Sequence, residues 1–256
     1  EGFFYSSYDK PEGSELSEMT DQHKLYFHKL GTPQSDDVLI FGGTPDEKHR
    51  YVGASVTEDG KYLFISASKT TSGNVSFLKD LSKENSPLLS VDQDYSTDSY
   101  LLDSMGEQLF IVTNSNAPNQ KVVQVNANRP QEKNWKDFIP ETDHVLSPSS
   151  GGGYFFARYI VDVITKVVQY NAQGENLGEV ELPGLGTAGG WNGKKEDDTL
   201  YYNFTNYHSP GVIYSYNPNT KISKQYWKPE IDFNPDDYIS EQVFYTSADG
   251  TQVPMI

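Results

Sequence analysis

Cysteine is absent from the 256 residues. No disulfide framework, thiolate metal site or cysteine nucleophile can therefore exist. The absence suits the cytoplasm and a bacterial periplasm alike, and the acidic, cysteine-free composition leans the expectation towards the periplasm. Long apolar runs are missing too: none approaches the ~20 residues that span a bilayer. The opening residues, Glu1-Gly2-Phe3-Phe4-Tyr5, carry neither the basic region nor the small-residue cleavage site of a signal peptide. They read as a strand entered midway. Positive charge is scarce, with 20 Lys and Arg against 36 Asp and Glu and a net charge of −16. Such a surface repels phosphate backbones and anionic lipid headgroups, so neither nucleic acid nor a membrane is expected as a partner. No segment sustains a 3.6-residue apolar period, which argues against helices.

Aromatic residues are plentiful: 18 Tyr, 13 Phe and 3 Trp. That mixture suits many short strands. The strands recur. Tyr62-Leu63-Phe64-Ile65-Ser66, Gln108-Leu109-Phe110-Ile111-Val112, Tyr154-Phe155-Phe156-Ala157-Arg158 and Leu200-Tyr201-Tyr202-Asn203-Phe204 are copies of one element. With Leu63, Leu109, Phe155 and Leu200 as equivalents, the steps are 46, 46 and 45 residues. Gly60, Gly106 and Gly153 precede three of the copies, as a hairpin turn entering a strand requires. Phe3-Phe4-Tyr5 opens the chain as an outlying copy, and Val243-Phe244-Tyr245 nearly closes it. A second element follows each full copy. It is seen at Val75-Ser76-Phe77-Leu78, Val122-Val123-Gln124-Val125, Val167-Val168-Gln169-Tyr170 and Val212-Ile213-Tyr214, with Leu25-Tyr26-Phe27-His28 as its first instance. Polar turns then lead to third strands, expected at Val180-Glu181-Leu182 and Lys224-Gln225-Tyr226-Trp227.

The repeat is thus strand, loop, strand, tight turn, strand, with room for one more. The fold class that follows is all-β: a β-propeller of four-stranded antiparallel blades of about 46 residues. A parallel β-helix needs a much shorter period, and an α-solenoid needs helical periodicity.

One stretch is more specific. Phe244-Tyr245-Thr246-Ser247-Ala248-Asp249-Gly250-Thr251-Gln252-Val253-Pro254-Met255 resembles the junction at which prolyl oligopeptidases pass from propeller to α/β-hydrolase domain. Gly2-Phe3-Phe4-Tyr5-Ser6-Ser7-Tyr8, the segment from His23 to Thr32, and Ser209-Pro210-Gly211-Val212-Ile213-Tyr214 resemble the same family in the same order. The resemblance implies a seven-bladed ring covering the active site of a serine peptidase that cleaves after proline in short peptides. Residues 1–250 would be the propeller portion, about five blades. Residues 251–256 would begin the link into a peptidase domain, the implied partner, with short proline-containing peptides as substrates of the parent enzyme. The family's catalytic Ser, Asp and His fall outside the matching residues, so no catalytic residue is assigned, and no cofactor. The sequence agrees from below, because it holds no Gly-x-Ser-x-Gly elbow.

Two loops are candidates for a role in access. The polar insertion from Pro11 to Gln22 stretches the first repeat, so that Phe4 to Leu63 is 59 residues. The resemblance implies that Gly13, Ser14, Glu15, Ser17, Glu18, Thr20 and Asp21 belong to a substrate-access loop. Lys69, Thr70 and Thr71 join two strands of a blade, in a connection that the resemblance implies faces the active-site cavity. The Cys or Arg that some members carry there is absent. Other motifs read as structure. Asp92, Asp94 and Asp98 lack the glycine and terminal glutamate of a calcium loop. His23 and His28 point to opposite faces of a regular strand, so no metal site is assigned. Ser147-Pro148-Ser149-Ser150-Gly151-Gly152-Gly153 and the cluster from Gly189 to Lys195 read as turns.

The reading is a non-catalytic, access-limiting propeller of a prolyl oligopeptidase. A stand-alone propeller serving as an interaction scaffold is the main alternative. A propeller with its own glycosidase or lectin site would need converging carboxylates, whereas the acids here are scattered.

Overall fold

The protein's computed structural model describes residues 1–10, 13–14, 17–18, 20–44 and 48–256. It forms two compact units, Glu1–Phe138 and Ile139–Ile256. The regular structure of the described residues is strand throughout, apart from three short 3-10 turns.

The first unit opens with a three-stranded sheet, β1 (Gly2–Ser7), β2 (Lys24–Lys29) and β3 (Val38–Phe41). A four-stranded sheet follows: β4 (Tyr51–Val56), β5 (Tyr62–Ser68), β6 (Val75–Asp80) and β7 (Leu88–Asp92). The next is β8 (Ser99–Met105), β9 (Gln108–Thr113), β10 (Lys121–Asn126) and β11 (Lys136–Ile139), which ends at the unit boundary. The second unit has two more four-stranded sheets. One is β12 (Ser147–Gly151), β13 (Tyr154–Val161), β14 (Ile164–Tyr170) and β15 (Asn176–Glu179). The other is β16 (Thr187–Asn192), β17 (Leu200–Thr205), β18 (Val212–Asn217) and β19 (Ile222–Trp227). A hairpin of β20 (Val243–Thr246) and β21 (Gln252–Met255) completes it. Neighbours in each sheet are consecutive in sequence, and the pairings are antiparallel.

The repeats fall where period-two patterning puts them. The first element is the second strand of a sheet (β5, β9, β13, β17), and the second element is the third strand (β6, β10, β14, β18). Alternate residues of β5 leave on opposite faces. Leu63, Ile65 and Ala67 pack with Leu25, Phe41 and Val52, while Tyr62 and Phe64 pack with Leu109, Ile111 and Val123 of the next sheet. The β4–β7 sheet is therefore apolar on both faces and is held by its neighbours. In the second unit Phe156 and Val167 meet Trp191, Leu200 and Tyr202 in the same way, and Trp191 stacks on Tyr202 with ring centroids 4.4 Å apart.

Three expectations need correction. Ser147–Gly151 is strand β12, with only Gly152 and Gly153 turning at φ +60° and +77°. Thr187–Asn192, which includes Gly189 and Gly190, is strand β16. Small residues are present because backbones approach closely. A Cβ on Gly151 would lie 2.8 Å from the Gly193 nitrogen, and one on Gly190 would lie 2.5 Å from the Tyr201 oxygen. Pro148 is tolerated because β12 is an edge strand, where a missing N–H costs no ladder bond. The fourth strand of the β12 sheet, expected at Val180–Leu182, is Asn176–Glu179, ahead of that run. A register shift between Val168 and Tyr170 moves it, and the Val180 N–H still donates to the Val167 carbonyl at 2.8 Å.

Candidate functional site

Antiparallel order puts the β1–β2, β3–β4, β5–β6 and β7–β8 connections at one end of the first unit. Both candidate loops lie there. Of the access-loop residues, Gly13, Ser14, Ser17, Glu18, Thr20 and Asp21 are described; Glu15 lies outside the described residues. The N–H groups of Ser17 and Glu18 donate to the Ser14 carbonyl at 3.3 and 2.9 Å. Thr20 Oγ1 and His23 Nε2 are 3.1 Å apart. Asp21 accepts from Lys48 at 3.1 Å, and Asp9, at the start of the connection, accepts from Lys24 at 2.7 and 2.6 Å. The Asp9 carboxylate holds the Lys24 ammonium above its ordinary pKa. Burial lowers that of His23, whose ring stacks on Tyr8 and meets the edge of Tyr51.

The Lys69–Gly73 connection is built differently. Thr70 Oγ1 donates to the Ser72 carbonyl at 2.7 Å and closes the turn locally. The Gly73 N–H donates to Asp98 Oδ1 at 2.8 Å, and the Asn74 N–H to the Thr97 carbonyl at 2.8 Å. The buried Asn74 amide then clamps the Ser99 backbone, with Nδ2 donating to its carbonyl at 2.9 Å and Oδ1 accepting its N–H at 3.0 Å. Gly73 has φ +74°, and a Cβ there would fall 1.8 Å from the Tyr95 oxygen. Lys69 Nζ stands 4.2 Å above the Tyr95 ring centre. Thr71 is exposed.

The two loops are connected through residues that the sequence reading did not single out. The His23 N–H donates to the buried His49 carbonyl at 2.9 Å. The His49 ring stacks with Tyr95, whose hydroxyl is 3.4 Å from His49 Nδ1, and Tyr95 carries Lys69. A signal for this pair was available. His49 and Tyr95 are 46 residues apart, one full repeat, so they occupy matching connections of successive sheets.

Asp92, Asp94 and Asp98 serve these turns. Asp92 accepts the Asp94 N–H at 3.0 Å and the Thr97 hydroxyl at 3.1 Å, and burial pushes its carboxyl up. Asp94 accepts the Ser96 N–H at 2.8 Å. Among the described residues no group of three or more His, Asp and Glu could hold a metal ion. His23 and His28 have separate partners. His28 Nδ1 is 2.7 Å from Asp37 Oδ1, and Tyr5 donates to Asp37 Oδ2 at 2.6 Å. The Tyr5 bond, followed by that of His28, holds the Asp37 carboxyl below its ordinary range. A serine-type relay needs hydroxyl, imidazole and carboxylate in series. Here Thr20 has a histidine whose ring bonds no described carboxylate, and the Asp37 carboxylate orients a different histidine.

In the second unit the matching connections and the β21 end border an open cavity of about 420 Å³. Val163, Gly186, Asn206, Tyr207 and Met255 line it. Val163 follows Asp162 in a two-residue hairpin turn with φ +67° and +47°. Tyr207 is 85% exposed.

Residues 1–229 match the model of the family described as prolyl oligopeptidase, N-terminal beta-propeller domain. The chain is 48% identical over 257 residues to the prolyl endopeptidase of Elizabethkingia miricola, a match spanning 100% of this chain and 36% of the relative. The prolyl endopeptidase of Elizabethkingia meningoseptica matches to the same extent. Among solved structures, the apo form of prolyl oligopeptidase B from Galerina marginata superposes with a TM-score of 0.84 at 26% identity, over 99% of this chain and 36% of that one. A structure from a study of two prolyl endopeptidases and their inter-domain dynamics gives a TM-score of 0.84 at 28% identity, covering 37% of that chain. The chain thus spans little more than a third of the length of these proteins.

Proposed function

The chain belongs to the prolyl oligopeptidase family, through its N-terminal β-propeller domain, and from that premise we propose that it is the non-catalytic, access-limiting part of a serine endopeptidase that cleaves after proline. In this reading residues 1–250 form blades of a seven-bladed ring. Residues 251–256 enter an α/β-hydrolase peptidase domain, the partner that supplies the serine, aspartate and histidine. Short proline-containing peptides reach that domain past the propeller, and folded proteins do not.

One observation carries the access role: both candidate loops stand at the same end of the first unit, and they are anchored unequally. Lys69–Gly73 is tied to the next sheet by hydrogen bonds from Gly73 and Asn74. The described anchors of the longer connection include Lys24–Asp9 and Lys48–Asp21, ion pairs whose acids are 65% and 41% exposed. Exposed pairs contribute only about 0–1 kcal/mol each. The long connection is therefore the cheaper one to displace, and Lys69, Thr70 and Thr71 form a fixed wall.

Deleting residues 12–20 in the full-length enzyme tests the role. The rate with long peptides should change more than the rate with a dipeptide substrate. Equal effects on both would remove the gating idea. A chromogenic Gly-Pro ester offered to the 256-residue chain alone should not turn over, and turnover blocked by a serine-directed inhibitor would contradict the non-catalytic reading.

A further inference from the structure

Arg129, Lys133 and Lys136 line a cavity of about 550 Å³ in the first unit. No carboxylate lines it, in a chain whose net charge is −16. The one acid in the 129–136 run, Glu132, accepts from Ser115 Oγ at 2.6 Å and is not on the wall. Asp137, next in sequence, pairs with Lys121 at 2.9 Å. Among the described residues the three wall cations make no ion pair. Three like charges around one concavity repel each other and focus a positive potential that an anion relieves.

The remainder of the wall narrows the choice of anion. Trp135 packs against the core cluster that contains Val123 and Val125, and its indole N–H donates to the Pro130 carbonyl at 2.8 Å. Its ring is thus fixed and half-buried, a rigid face for a planar group. Gln108 and Gln124 also line the cavity, and neither side chain hydrogen bonds to a described residue. A monocarboxylate would leave two cations uncompensated and the ring unused. A nucleic acid would suffer repulsion from the acidic surface beyond the cavity. A compact ligand with three or more negative charges and a flat ring uses the whole wall, and the volume lies within the range of small-molecule sites.

We propose that this cavity binds a nucleoside polyphosphate, with Arg129, Lys133 and Lys136 on the phosphates, Trp135 against the base, and Gln108 and Gln124 at its polar edge. The site is independent of the access role, because its cations come from the β10–β11 connection and the start of β11.

Isothermal titration of the 256-residue chain with ATP at low ionic strength, with a chelator present, tests the proposal. ATP should bind, and adenosine at the same concentration should not. The Arg129→Ala, Lys133→Ala double variant should bind ATP at least about fivefold more weakly. Both residues are exposed, so an unchanged near-ultraviolet circular dichroism spectrum will verify that the fold is kept. Trp135→Leu should weaken ATP but leave tripolyphosphate unaffected. No detectable ATP binding, or binding that the double variant leaves intact, would overturn the site. Tripolyphosphate binding as tightly as ATP would overturn the nucleotide assignment.

Discussion

Replacing Gly73 with alanine should cost far more than the same change at Gly60, although the two glycines have nearly the same backbone conformation, φ +74° and +71°. At Gly60 a Cβ meets nothing within 4 Å, so Gly60→Ala carries only the left-handed penalty of about 1–2 kcal/mol. At Gly73 the Cβ would stand 1.8 Å from the Tyr95 carbonyl oxygen and 2.8 Å from its carbon. Both are backbone atoms and cannot rotate away. One connection must retreat, and the bonds at risk are Gly73 N–H to Asp98 and Asn74 N–H to the Thr97 carbonyl. At about 1 kcal/mol per bond, added to the backbone penalty, Gly73→Ala should lose about 3–4 kcal/mol. Urea unfolding of the chain and both variants, read as midpoints at constant slope, measures the difference. Equal losses at the two positions would refute the claim that the Lys69–Gly73 connection is locked to the next sheet.

Other sites give independent checks. Tyr216→Phe removes the 2.6 Å bond from its hydroxyl to the wholly buried Gln169 and should cost about 1–3 kcal/mol by chemical denaturation; a loss below the error of the fit would mean that water replaces the hydroxyl. Val163→Gly should stabilise the chain by about 0.5–1 kcal/mol, because a β-branched residue at φ +67° is strained and glycine is not, net of glycine's greater unfolded entropy. A lowered melting temperature would mean that the exposed side chain packs more than its accessibility shows. The carboxyl of Asp80 is held down at about 2, against an ordinary 3.8, by Lys83 and then by Ser82. Its folded pKa is depressed, so its stabilisation is complete above pH 3.8 and is lost as pH falls towards 2. The stability gap between wild type and Asp80→Asn should therefore close across that window, and a constant gap would show that the Asp80 charge is not responsible.

The second and third strands of the four-stranded sheets were legible because both their faces are covered. Leu63 and Ile65 face one neighbour while Tyr62 and Phe64 face the other, which leaves a nearly continuous apolar run with a turn glycine before it. The first strands, β12 and β16, were illegible for the opposite reason. Gly151, Gly186 and Gly190 are selected by backbone approach between strands, and that requirement erases the β-branched and aromatic residues by which a strand is normally read. A turn composition and a close-packed first strand are the same sequence signal here. Only pairing partners, such as Ser149 opposite Phe156 and Gly189 opposite Asn203, separate them.

The candidate site was legible as loop positions but not as a connected structure. Length and the family resemblance marked the 11–22 connection, and the resemblance marked Lys69–Gly73. What joins them is a set of contacts between successive repeats: His49 with Tyr95, Asn74 with Ser99, and Gly73 with Asp98. Asn74 and Asp98 are polar residues in polar turns, and nothing in their local sequence sets them apart from solvated neighbours. The repeat sets apart only the ring pair, because a step of 46 residues brings His49 and Tyr95 to matching places on adjacent sheets. A connection that bonds to the following sheet inherits the rigidity of two cores. The ion pairs described for the longer connection have exposed acids and add little rigidity. That difference in anchoring, more than any single side chain, makes the first connection a candidate for opening and the second a candidate for the wall it opens against.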